Sequence, residues 1–163
     1  MSVIINGSEV RAIALGIRVK TASVTNPQTA STNIFTVTGG KVLITSLVGE
    51  VTTVQGATAN SFNLTYTKSG GSAADISAAT VCTSDALGTL YTITGVAADI
   101  LSAQKVGGTE VPNVTFAKAN VDGAGIIVPA GTMQLKASGS NTGATTWTLT
   151  YVPIDDGAAV AAS

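Results

Sequence analysis

The chain contains no histidine and has a single cysteine, Cys82, among its 163 residues. Ser-His-Asp and Cys-His mechanisms need an imidazole, so the composition excludes both. Zinc and iron sites built from histidine and cysteine are excluded as well, because one thiol cannot make such a site. A lone cysteine cannot form an internal disulfide, which indicates assembly in a reducing cytosol. We therefore expect no cofactor and no enzymatic activity.

Charge is also scarce. Only 10% of the residues are Asp, Glu, Lys or Arg, and the formal net charge is −1, whereas about 25% is ordinary for soluble domains. Two interpretations remain open: a surface coated with neutral Thr, Ser and Asn, or a surface that partner subunits partly cover. Arg11, Arg18 and Lys20 form the only local group of basic residues. Because nucleic-acid binding needs a basic patch, we expect no nucleic-acid partner.

Long apolar runs are missing. A membrane span needs about 18 or more apolar residues in succession, and charged residues interrupt the N-terminal stretch at Glu9, Arg11, Arg18 and Lys20. The first residues lack the basic segment that precedes the apolar core of a secretory signal. We expect neither membrane insertion nor export.

What the chain does have is period-two alternation. Only 4% of residues are aromatic, so a core of Val, Ile, Leu and Ala is expected. Near the C-terminus, Trp147, Leu149 and Tyr151 share one parity, and threonines at 146, 148 and 150 share the other. This pattern predicts a strand with one apolar face and one hydroxyl face. Trp147 and Tyr151 could form a sugar-stacking platform, but rings at this spacing beside Leu149 are more typical of a core.

Similar short strands recur along the chain, with turn signals roughly every 8–12 residues, which is typical of an antiparallel sandwich or barrel. The prediction is an all-β, jelly-roll-like antiparallel β-sandwich over residues 34–158. The predicted core consists of Val42, Ile44, Phe62, Leu64, Tyr66, Tyr91, Ile93, Met133, Leu135, Trp147, Leu149 and Tyr151.

The two ends of the chain carry weaker patterns. Residues 1–33 are predicted to be an N-terminal strand or arm followed by a linker. Within residues 1–20 the alternation favours a strand, with a short helix around Glu9 to Leu15 as the competing interpretation. The polar stretch Thr21 to Asn33 fits either an extended arm or a loop into the sheet. Residues 159–163 are small and Ala-rich, which predicts a flexible tail.

The carboxylates do not form a recognisable site. A glycosidase needs two of them held about 5–10 Å apart, but most lie in or beside predicted turns, where Asp bonds the local backbone. No D-x-D-x-D-G calcium loop is present. Glu50 is unusual because it shares a parity with Val42, Ile44 and Val48 in a long apolar strand. Either the strand leaves the core by Gly49, or Glu50 pairs with Arg11, Arg18 or a neighbouring subunit.

Three stretches resemble small structural proteins of tailed bacteriophages, above all the capsid decoration, or cement, proteins. They are T-V-T-G-G-K-V-L-I-T-S-L-V-G-E-V-T-T (Thr36 to Thr53), L-G-T-L-Y-T-I-T-G (Leu87 to Gly95), and I-V-P-A-G-T-M-Q-L-K…N-T-G-A-T-T-W-T-L-T-Y-V-P-I-D-D-G-A (Ile127 to Ala158). The resemblance covers roughly Ile34 to Ala158, and its motifs are strand motifs of moderate specificity.

The resemblance implies a non-enzymatic virion protein that is made in the host bacterial cytoplasm. It implies a homotrimer that binds the major capsid protein on the outside of the shell and stabilises the head. The candidate interface residues are Arg11, Arg18, Lys20, Pro27 and Glu50, with the Thr21 to Asn33 arm reaching a neighbouring subunit. The alternative is a tail-fibre or baseplate module that binds a host-surface glycan or a partner protein. Exposure of Trp147 or Tyr151 would favour that alternative, whereas burial of both would favour a decoration protein.

Overall fold

The computed structural model describes residues 7–26, 31–93, 101–104 and 125–163. Within these ranges one short helix accompanies strands that all pair in antiparallel fashion. The elements are α1 (Gly7–Leu15), β1 (Ile17–Lys20), β2 (Val24–Thr25), β3 (Thr32–Thr38), β4 (Val42–Thr53), β5 (Ser61–Lys68), β6 (Ala73–Asp75), β7 (Thr80–Val81), β8 (Leu90–Ile93), β9 (Leu101–Gln104), β10 (Ile126–Val128), β11 (Gly131–Ala137), β12 (Ala144–Pro153) and β13 (Ala159–Ala162).

The strands form two sheets that enclose one apolar core. Sheet A has the order β1-β12-β4-β8-β9, with β10 paired to β4 and β2 to β12. Sheet B has the order β13-β3-β11-β5-β6, with β7 paired to β5. The prediction of an all-β sandwich is confirmed. Eight of the strands, ordered β1-β12-β4-β8 and β3-β11-β5-β6, follow jelly-roll connectivity, in which the first and last strands of the eight are neighbours.

The predicted core residues lie between the two sheets. The side chain of Ile93 falls outside the described set, and each of the others is at most 6% exposed. These buried residues are Val42, Ile44, Phe62, Leu64, Tyr66, Tyr91, Met133, Leu135, Trp147, Leu149 and Tyr151. Alternation therefore identified the inward faces of the central strands.

A β-bulge in β4 changes the face on which Glu50 lies. Tyr151 pairs with Ile44 and Thr150 pairs with Ser46, which leaves Thr45 as an extra residue without a partner across the ladder. One extra residue reverses the inward and outward parity of everything that follows it. Glu50 therefore points outward and is exposed, although it shares a sequence parity with the buried Val42 and Ile44.

The N-terminal segment corrects the prediction of an extended arm. Helix and strand, the two competing interpretations, occur in succession as α1 and β1, and Gly16 turns the chain between them with φ of +89°. β1 and β2 then pair with β12, so residues 17–20 and 24–25 belong to sheet A. The backbone N–H of Thr21 donates to Trp147 O at 2.9 Å, and its hydroxyl accepts from the Trp147 N–H at 3.0 Å.

The C-terminal segment corrects the prediction of a flexible tail. Ala159–Ala162 pairs with β3 at the edge of sheet B, and the N–H of Ser163 still donates to Ile34 O at 3.1 Å. Val160 is only 7% exposed. The small side chains that suggested fraying instead form an edge strand with one buried anchor, because Val160 covers one end of the core.

Candidate interaction surface

Two aromatic rings stack across a glycine at the centre of sheet A. Trp147 on β12 pairs with Gly49 on β4, and Gly49 pairs with Tyr91 on β8. The rings of Trp147 and Tyr91 stack across the glycine, with centroids 6.2 Å apart and planes at 17°. Both rings are fully buried, and Tyr151 is 4% exposed. None of these three rings is available to stack against a sugar from solution.

The Tyr91 hydroxyl donates a hydrogen bond to Asp85 Oδ2 at 2.8 Å. Burial, reinforced by this bond and by the charge of Asp85, raises the pKa of Tyr91 above that of a free phenol. Asp85 is 4% exposed, and its backbone carbonyl accepts from the Gln55 N–H at 3.0 Å. The pair fixes the loop before β8 against the core. The described residues contain no group of three or more carboxylate or cysteine side chains that could hold a metal ion.

The outer face of sheet A carries an apolar row across three strands. Ile127 on β10 pairs with Leu43 on β4, and Leu43 pairs with Val152 on β12. Ile127 is 61% exposed, Val152 is 41% exposed and Leu43 is half-buried. Along β12 the row continues into the outward hydroxyls of Thr150 and Thr148. The face is therefore an apolar row that continues into hydroxyls on β12, with Arg18 and Lys20 of β1 beside Thr150 and Thr148.

A groove of about 510 Å³ lies between α1 and this face. Its lining residues are Arg11, Ala14, Leu15, Gly16, Arg18, Thr45, Ser46, Thr150 and Val152. Leu15 is 67% exposed. Among the described residues neither Arg11 nor Arg18 makes an ion pair, and the ion pair found there joins Lys136 to Asp75 at 3.7 Å. The groove thus combines two uncompensated cations with apolar walls.

The other candidate interface residues lie apart from the groove. Lys20 is exposed on the outer face of β1 and pairs with Thr148, whereas Glu50 pairs with Thr146 on the far side of β12. Within the described ranges Glu50 forms no ion pair with Arg11 or Arg18, so that part of the sequence hypothesis does not hold. Pro27 lies outside the described residues. Only Arg11 and Arg18 are brought together.

A second depression, of about 490 Å³, lies on sheet B. It is lined mainly by threonines and glycines, among them Thr36, Thr67 and Gly131, and no aromatic residue takes part. Gly131 has no room for a side chain, because a Cβ there would collide with Thr67 O. This depression offers hydroxyls but no ring for stacking.

Sequence reasoning missed Leu43, Ile127 and Val152 as surface residues. The sequence carried a signal for the surface on β4, since the residues of both parities are apolar up to Gly49. This pattern predicts that other parts of the structure cover both faces of the strand. In the structure the inward parity is buried, while Leu43 and Val48 remain partly exposed. An apolar outward parity that the fold leaves uncovered indicates a contact surface.

No family model, curated protein or solved structure matches the chain. The helix in the described part is too short and too polar to span a membrane.

Proposed function

We propose that this chain is a non-enzymatic structural protein of a tailed-bacteriophage virion. It would be made in the bacterial cytoplasm and would act as a decoration protein that binds the outside of the major capsid shell as a homotrimer. The observation that carries the proposal is the exposed row Ile127–Leu43–Val152 on a protein with few charges. Contiguous apolar surface on a soluble domain marks a protein contact.

The outer face of sheet A suits the physical requirements of a decoration protein. Each contact of a decoration protein with the shell is modest, and several contacts made at once raise the overall affinity. Neutral hydroxyls next to an apolar row cost little to desolvate compared with charged groups. The outer face of sheet A supplies this combination through Val152 and the adjoining Thr148 and Thr150.

The alternative, a glycan-binding tail module, receives less support. Sugar recognition by stacking needs an exposed ring, and Trp147 and Tyr151 are both buried. The depression on sheet B provides hydroxyls without a ring. Binding of a partner protein within the tail is still compatible with the apolar row, so the test must locate the chain on the particle.

The first experiment labels intact virions of the phage that encodes the chain with a gold-conjugated antibody raised against the folded protein. Label over the outer surface of the head is the expected result. Label confined to the tail would overturn the head assignment in favour of the tail module. Particles without label would overturn both virion locations.

A second experiment tests the surface. Purified chain is mixed with expanded empty heads of that phage that lack it, and bound protein is measured by sedimentation. The variant Ile127→Asp should bind at least about tenfold more weakly, because it places a charge on the apolar row at a residue that does not line the groove. Val81→Asp is the matched control, since Val81 is 56% exposed, close to the 61% of Ile127, but lies on β7 of sheet B. Equal loss in the control would contradict the assignment of this face.

A further inference from the structure

The groove between α1 and sheet A places two cations beside apolar side chains. This combination suits a segment that carries both a carboxylate and an apolar side chain. Arg11 and Arg18 both line the groove. A guanidinium group can bind a carboxylate in a planar, bidentate geometry through two parallel hydrogen bonds. Leu15 and Val152 supply apolar walls and are 67% and 41% exposed. A purely acidic ligand would leave these walls in water, and a purely apolar ligand would leave the two cations without a partner.

The chain itself carries such a segment. Of the carboxylates in the described ranges, Glu9 lies on α1, which itself forms one side of the groove. Asp75 pairs with Lys136, Asp85 is buried against Tyr91, and Asp155 accepts from the Lys41 N–H. Asp156 and Glu50 are exposed without an ion pair in those ranges. Glu50 lies between Thr146 and Leu90 within the sheet.

Asp156 differs from Glu50 because it stands in a turn, two residues after Ile154, which is 48% exposed. It therefore offers a carboxylate together with an apolar side chain, which Glu50 does not.

Four hydrogen bonds hold the turn that contains Asp156. Its residues Ile154 and Asp155 both donate backbone N–H groups to Lys41 O, at 3.0 and 3.3 Å, and Ala158 N–H donates to Asp155 O at 3.1 Å. The Asp155 carboxylate accepts from Lys41 N–H at 2.8 Å. Because the turn is already ordered, presenting Ile154 and Asp156 to a partner costs little conformational entropy.

We propose that the Arg11–Arg18 groove receives the Ile154–Asp156 turn of a second copy of this chain. The inference rests on the self-association that the proposed function includes, and it names the two surfaces that meet. The Asp156 carboxylate lies against the guanidinium groups, and Ile154 packs on Leu15 and Val152. The contact joins unlike surfaces, so copies associate either reciprocally in a pair or head to tail, in a ring where the rotation between copies closes and in an open filament where it does not. A trimer is the ring of three.

The test uses charge reversal on each surface and then mixes the products. The groove variant is Arg11→Glu, Arg18→Glu, and the turn variant is Asp156→Lys. Lys68→Glu, Lys136→Glu makes the same charge change as the groove variant at exposed positions on sheet B, and Asp75→Lys matches the turn variant on the same sheet. Circular dichroism establishes that each variant is folded, which is expected because every substituted side chain is exposed.

Native mass is measured by light scattering across a concentration series. The wild type and both controls should associate, and each test variant alone should associate at least about tenfold more weakly because like charges then face each other. Mixing the groove variant with the turn variant should restore every contact of a reciprocal pair and two of the three contacts of a ring of three, since an intact groove then meets an intact turn and a reversed groove meets a reversed turn. Added salt should weaken the association of the wild type.

Three results would overturn the inference: a wild type that stays monomeric, a groove variant that associates like the wild type, or a mixture that does not recover. The labelling and sedimentation experiments test the proposed function independently of this contact. A monomer that still binds heads would overturn this contact and the trimer while leaving the shell role intact. If the mixture recovers association but the antibody does not label virions, the contact between copies stands and the proposed virion role is overturned.

Discussion

The six-membered ring of Trp147 lies directly over the α-carbon of Gly49 on the neighbouring strand. A Cβ at position 49 would come within 2.7 to 2.9 Å of three ring carbons of Trp147, closer than van der Waals contact permits. Glycine is therefore required here by the ring and not by backbone conformation. Gly49 and Trp147, which is the single tryptophan of the chain, therefore pack as one unit.

Gly49→Ala should destabilise the protein by roughly 1–3 kcal/mol, because the added methyl group must displace the ring or shift β4. The free energy of unfolding from urea titration measures this cost. Gly139→Ala is the matched control, since the nearest atom to a Cβ there is Ala59 O at 3.8 Å. The control should stay within about 0.5 kcal/mol of wild type, and equal effects at the two positions would contradict the packing account.

Trp147→Ala should cost roughly 3–5 kcal/mol, because it removes a fully buried ring and leaves a cavity beside Tyr91. The transition is followed by circular dichroism, since the variant has no tryptophan left to report by fluorescence. A nearly neutral substitution would place the ring at the surface and would revive the glycan-binding alternative.

Deleting residues 1–33 should abolish cooperative unfolding. The deletion removes β1 and β2, and Trp147 loses both of its bonds to Thr21. Deleting residues 1–15 instead removes α1 and spares the strands, so a cooperative thermal transition should remain. A folded, soluble 34–163 fragment would restore the interpretation of the N-terminal segment as a detachable arm.

Val160→Asp should destabilise the protein by roughly 1–3 kcal/mol, because a carboxylate would replace a side chain that is 7% exposed at the edge of the core. Ala161→Asp, one residue further along β13, places the same group on the exposed side of the strand and should be nearly neutral. Chemical denaturation of both variants checks this. Equal and negligible effects would mean that the C-terminal residues fray as their composition suggested.

Stability should fall at alkaline pH through Tyr66. Burial raises the pKa of Tyr66 to about 12, while an unfolded chain titrates near 10. The folded state therefore holds the phenolic proton more tightly, so the stabilisation is complete below about pH 10 and is lost as the pH rises through the folded value. In Tyr66→Phe the free energy of unfolding should decline less steeply between about pH 10 and 12. Parallel curves for the variant and the wild type would contradict this linkage.

Much of the fold could be predicted because alternation reports burial directly. Trp147, Leu149 and Tyr151 follow one another at period two without interruption, and all three are buried. The bulge at Thr45 could not be read in the same way, since an extra residue leaves no local composition signal. The sequence parity of Glu50 therefore left two outcomes open, exposure or an ion pair, and in the structure Glu50 is exposed.

The ends of the chain were harder for a different reason. β1 and β13 are four residues each, and their place is decided by partners distant in sequence, β12 and β3. Local composition describes Ala159–Ala162 as small and flexible, whereas tertiary pairing makes it a strand. Likewise the approach of Arg11 to Arg18 depends on the turn at Gly16, which places α1 over the face of sheet A. The sequence alone marked the two arginines as a group but not as a groove.

The position of β12 between β1 and β4 has a consequence for how the protein is made. Ala144–Pro153, the strand that joins β1 and β2 to β4, follows every other described strand of sheet A in the chain. Until it leaves the ribosome, β1 has no ladder to join and the outer edge of β4 stays open. Native contacts between residues so far apart in sequence make folding slow. We therefore expect sheet A to be completed only after this strand has left the ribosome, with β1 and β2 unpaired until then.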